Sequence, residues 1–127
     1  TTSTNPTDFI GFAYTQNATN IVLTNNTSSV NWQCVTVNSS TRTVTNSGVV
    51  VNASAFQKLS IRINADATIV QFLINNILVQ THTTNIPSGN SKKLLIQSLM
   101  GKLAGTSNVQ CAIDYIRFDY KLATPRI

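Results

Sequence analysis

Between Lys58 and Ile74 the chain switches between apolar and polar residues at nearly every step. In KLSIRIN, Leu59, Ile61 and Ile63 fall on one side, and Lys58, Ser60 and Arg62 on the other. In TIVQFLI, Val70, Phe72 and Ile74 again share a side. A period of two is the spacing of a strand with one face against a core, and no helix sorts these residues onto separate faces. Asn64-Ala65-Asp66-Ala67 turns the chain between the two runs. Asn75-Asn76 is a two-residue hairpin turn, because asparagine enters the left-handed region more cheaply than most residues. Ile77–Thr83, ILVQTHT, then returns, so the sequence predicts an antiparallel meander here.

The rest of the chain carries the same texture. Phe9–Tyr14, FIGFAY, reads as a strand with a bulge at Gly11. Ile21–Leu23 is short and apolar. Asn31–Asn38 alternates, with Trp32, Cys34 and Thr36 on one face, and Thr41–Thr45 is its hairpin partner across Ser39-Ser40. Asn46-Ser47-Gly48 is a turn signal before Val49–Val51. Asn85–Asn90 is a loop, Leu94–Met100 an apolar run and Gly101–Asn108 another loop. Val109–Tyr120 is apolar on both faces and predicts a long final strand in the middle of a sheet. Roughly nine or ten short strands without a helical period predict an all-β, antiparallel β-sandwich or jelly roll. We expect a single domain over residues 9–122, a flexible arm at 1–8 and a tail at 123–127. The chain starts at Thr1 rather than Met, which fits a processed chain or a piece of a longer one.

Charge narrows the partners. Charged residues make up 10% of the chain, and the net charge is +5. The cations are dispersed, with only Lys92 and Lys93 adjacent, so the excess comes from scarce acids and no nucleic-acid partner is expected. No run approaches the roughly 20 apolar residues of a membrane helix, and no membrane partner is expected. Cys34 and Cys111 lie in apolar strand-like runs and read as buried free thiols, with a disulfide between them left open.

Reactive groups are few. The only acids are Asp8, Asp66, Asp114 and Asp119, and no spacing places two of them for acid/base work. The single histidine, His82, reads as a surface or turn-packing residue near a strand end. No spacing suits a metal, and the glycines are too dispersed to cradle a phosphate. We therefore assign no catalytic residue, no metal and no cofactor, and expect no enzyme. Trp32 is the candidate glycan contact, weighed against a place in the core.

At Phe56–Pro87, FQKLSIRINADATIVQFLINNILVQTHTTNIP, the pattern L-x-I-x-I, turn, V-x-F-x-I-N, returning strand and T-T-x-I-P resembles the second half of concanavalin A-like lectin/glucanase jelly rolls. The run AIDYIRFDYKL is similar to their closing strand, and the likeness spans Val49–Leu122. Domains of this kind occur in bacteriophage structural proteins. The resemblance implies a non-enzymatic virion protein that decorates a phage capsid or forms part of a tail fibre. Its partners would be capsid or tail proteins and further copies of itself, with a trimer favoured. It would be located on the particle surface, or otherwise be extracellular. The alternative is a lectin-like module that attaches to host-surface glycans. The family's glucanases carry an E-x-D-x-E strand, and this sequence has no Glu; the clustered acids of its metal-dependent lectins are missing as well. Candidate partner contacts are Thr4, Asn5, Pro6, Pro87, Ser88, Asn90, Lys92, Lys93, Lys102 and Arg126.

Overall fold

A computed structural model describes residues 6–15, 29–89, 106 and 110–119. The chain divides into two units, Thr1–Lys93 and Leu94–Ile127. Among the described residues the first contains six strands: β1 (Phe9–Thr15), β2 (Ser29–Asn38), β3 (Thr41–Val50), β4 (Leu59–Ile63), β5 (Val70–Ile74) and β6 (Ile77–His82). They form two antiparallel three-stranded sheets, in the orders β1-β2-β3 and β4-β5-β6. The protein is all-β, and among the described residues no helix is long and apolar enough to cross a membrane. The expectations for Ile21–Leu23, for Leu94–Met100 and for the tail at 123–127 lie outside the described residues.

Each hairpin closes where the sequence supplies residues that tolerate a positive φ. Ser39 and Ser40 sit at φ 49° and 69°, and Asn75 and Asn76 at 52° and 68°. Two consecutive left-handed residues give the turn whose twist matches the flanking strands. Thr7 and Asp8 brace the first of these turns. The Ser40 amide donates to the Thr7 carbonyl at 2.8 Å, and the Ser39 amide to Asp8 Oδ1 at 3.0 Å. In the turn between β4 and β5, Asn64 Oδ1 accepts from the amides of Thr68 and Ile69 at 2.8 and 2.9 Å.

Two sequence expectations are corrected here. Asn46-Ser47-Gly48 does not end a strand. β3 continues to Val50, and the register shift between Asn31 and Gln33 absorbs the extra residues as a bulge. Gly48 takes φ 73°, and its amide donates to Asn46 Oδ1 at 2.8 Å, so the turn-prone residues bend a strand rather than stop it. In β1, Gly11 pairs regularly with Val35, and the irregularity lies between Ala13 and Thr15. Gly11 instead makes room for a neighbour: a Cβ there would meet the ring of Phe9, which would have to turn aside.

The core lies where the inner faces of the two sheets meet. Cys34, Val70, Phe72 and Ile86 are buried together, with Ile10, Phe12, Ala67 and Val79 packed against them. Phe72 is fully buried and stands edge-on to Phe12, ring centres 5.3 Å apart. Burying a side chain of this size contributes about 1.5–3 kcal/mol.

The inner face is not covered evenly. Leu59, Ile61 and Ile63 of β4 pair directly with Ile74, Phe72 and Val70 of β5, so they project to the same side. The β5 residues are buried, yet Leu59, Ile61 and Ile63 remain 36, 39 and 42% exposed. The sequence reading placed these three residues in the core. Their side is as expected; their burial is not.

In the second unit, residues 110–119 are exposed throughout and belong to no strand. The expected central strand over Val109–Tyr120 is therefore absent from its described part. Alternation is a local property of sequence, whereas a strand also needs a neighbour for its backbone groups. Arg117 Nε and Asp119 Oδ2 pair at 2.8 Å, the i, i+2 contact of an extended backbone.

Candidate functional site

Three features of the first unit bear on function: a polar seam between the sheets, an aromatic group at one end of the inner face, and the partly bare edge on β4.

The seam centres on His82, which is only 3% exposed. Its Nδ1 lies 3.0 Å from Thr36 Oγ1 on β2, and its Nε2 lies 2.7 Å from Thr45 Oγ1 on β3. Thr36 Oγ1 donates its single hydrogen to the Thr84 carbonyl at 3.0 Å. It must then accept from Nδ1–H, and in the neutral ring Nε2 accepts from the Thr45 hydroxyl. Both ring nitrogens are satisfied, and burial holds the ring's pKa below the ordinary 6.5, which favours the neutral form. The seam continues on both sides. Thr43 and Thr84 hydroxyls meet at 2.8 Å, Asn85 Nδ2 donates to Thr43 Oγ1 at 3.0 Å, and Gln80 Nε2 donates to the Asn46 carbonyl at 3.0 Å.

This placement corrects the reading of His82 as a surface or turn-packing residue, and the cause is a bulge. Leu73 pairs with Leu78, but Phe72 pairs with Gln80, so Val79 is an extra residue in β6. Counting by twos from Ile77 would send His82 to the outer face. The extra residue reverses that parity and aligns His82 with Val70 on the inner face.

A hydroxyl 2.7 Å from an unprotonated imidazole nitrogen has the outline of a nucleophile with its base. The surroundings do not develop it. The ring is buried, and its other nitrogen is taken by a threonine rather than a carboxylate. What the arrangement does is bind β6 to β2 and β3.

The aromatic group is built on Trp32. Phe12 approaches it edge-on and Tyr14 at a tilt, each with ring centres 6.2 Å away. Trp32 is half-buried, which joins the two readings made of it: it is packed on one side and reachable on the other. Its Nε1 donates to Gln57 Oε1 at 2.9 Å. The same oxygen accepts the Asn52 amide at 2.8 Å, and Gln57 Nε2 donates to the Val50 carbonyl at 3.0 Å. Gln57 thereby clamps the connection between β3 and β4 onto β2. Tyr14, 39% exposed, supplies the more accessible ring.

Among the candidate partner contacts, Pro6 is half-buried and Ser88 exposed. Pro87 is buried next to Ile86 and offers little surface. Thr4, Asn5, Asn90, Lys92, Lys93, Lys102 and Arg126 lie outside the described residues. Both cysteines are free. Cys34 is buried, its thiol pushed up to about 12 by burial, whereas Cys111 is exposed, contrary to the expectation of two buried thiols. Among the described residues no three of His, Cys, Asp and Glu are grouped to hold a metal ion. Sequence reasoning passed over Thr36, Thr45, Thr84 and Gln57. Threonines at inward positions of an apolar strand were the available signal, since a buried hydroxyl requires a partner.

A family model described as SO2946-like, C-terminal domain, matches residues 1–114. No curated protein and no solved structure matches the chain.

Proposed function

This chain belongs to the SO2946-like C-terminal domain family, and we propose that it is a non-enzymatic structural domain acting through protein–protein contacts. The observation that carries this reading is the bare part of the inner face. Leu59, Ile61 and Ile63 extend a core surface to the edge of a sheet and leave it exposed there. An apolar strip at a strand edge favours association. The likeness of Val49–Leu122 to jelly rolls of bacteriophage structural proteins extends the proposal to a virion, where the domain decorates a capsid or forms part of a tail fibre in a homo-oligomer, trimer favoured. Light scattering over a range of concentrations, with co-sedimentation on particles encoded beside its gene, tests the reading. We expect self-association or particle binding. A chain that shows neither is not an assembly domain.

A second reading rests on Tyr14 and Trp32, whose neighbouring rings at the end of the inner face offer a surface for stacking a sugar. Since Trp32 Nε1 is committed to Gln57, a glycan would be held by ring faces and neighbouring amides. A glycan array and Trp32 fluorescence titrations test it. Unchanged emission and no array hits remove it.

A further inference from the structure

We propose that Cys111–Tyr115 of one copy adds as an antiparallel strand to the β4 edge of a second copy, an inference that rests on the protein–protein reading above. Among the described residues β4 lies at the edge of its sheet, so its outer backbone groups form a template for a further strand. The segment C-A-I-D-Y alternates, is exposed throughout, and belongs to no strand. Ile113 and Tyr115 are 52 and 62% exposed, which is costly for large apolar side chains in water.

The two sequences fit in one register. With Ile113 opposite Ile61, Tyr115 falls opposite Leu59 and Cys111 opposite Ile63, so three apolar side chains extend the inner face over the bare strip. Asp114 then falls opposite Ser60, diagonally between Lys58 and Arg62, both exposed. A slip of one residue would turn Asp114 onto the apolar side, so the alternation itself rejects the neighbouring registers. Edge cations such as Lys58 and Arg62 discourage indiscriminate pairing. A donor strand carrying one acid at this position meets that obstacle with an opposite charge.

The test uses the native Cys111. Ile63→Cys places a thiol opposite it in this register, whereas Arg62→Cys points to the other face. Cys34 is buried and does not compete. Isotopically heavy and light copies of each variant are mixed, oxidised with copper–phenanthroline and mapped by mass spectrometry. We expect Ile63→Cys to give a disulfide joining heavy and light peptides several-fold more often than Arg62→Cys. Equal yields, or no link between copies, overturn the proposal. In parallel, Ile113→Asp lies outside the folded sheets and is expected to weaken self-association roughly tenfold or more, as read by light scattering. Unchanged association overturns the pairing. A chain that binds particles without linking to its own copies disproves this strand addition and leaves the assembly reading standing. A chain that does neither removes both.

Discussion

Thr36 on β2 and His82 on β6 meet between the two sheets, Oγ1 to Nδ1 at 3.0 Å, and the direction of this bond is fixed by the carbonyl of Thr84. Because Thr36 has given its only hydrogen away, the imidazole must be the donor. Burial of the ring then favours its neutral form over the doubly protonated one.

Stability should therefore depend on pH through His82. Burial lowers its folded pKa below the unfolded 6.5, so the unfolded chain binds the proton more readily. The stabilisation is complete above about pH 6.5 and is lost as pH falls through the folded pKa, with a slope of at most about 1.4 kcal/mol per pH unit. Urea melts at about pH 7.5 and about pH 5 check this. The wild type should lose more stability on acidification than His82→Gln. Equal losses would assign the effect to other groups.

Removing the Thr36 hydroxyl should be costly. Thr36→Val keeps the shape but strands Nδ1–H and the Thr84 carbonyl, a loss of about 1–3 kcal/mol in melts at neutral pH. The double variant Thr36→Val/His82→Gln should lose less than the sum of the two, because both act on one network.

The two thiols should differ sharply towards an alkylating or disulfide reagent. Cys34 is buried and held protonated, its pKa pushed up to about 12, while Cys111 is exposed. In the native protein one thiol should label quickly, and peptide mapping should find it at Cys111. Cys34 should react only when denaturant opens the fold. Rapid labelling of both would contradict the burial of Cys34.

The hairpin between β2 and β3 is open to improvement. Ser39 and Ser40 both hold positive φ, where serine is less suited than asparagine and glycine. Ser39→Asn with Ser40→Gly should raise stability by up to about 1 kcal/mol, read as a higher midpoint in urea. The backbone bonds to Thr7 and Asp8 should survive, because both donors are main-chain amides.

Much of this architecture was legible because it is local. The runs KLSIRIN and TIVQFLI name their own inner faces, and Asn75-Asn76 and Ser39-Ser40 mark their own turns. The site was less legible because bulges reset the count. One extra residue at Val79 decides that His82 is interior, and nothing in ILVQTHT announces it. The turn-like Asn46-Ser47-Gly48 conceals a bulge for the same reason: glycine and asparagine serve both purposes. The burial of Leu59, Ile61 and Ile63 was misjudged because facing inward and being covered are separate facts. The second depends on what lies opposite.

The seam around His82 also settles alignment. Purely greasy faces can glide past one another by a residue pair at little cost. Here such a glide along β6 would strand the buried His82 ring and Thr36 hydroxyl and pull both from their partners on Thr45 and Thr84. The threonines and the imidazole act as a dowel, and the same sheets without it would be free to settle in more than one position.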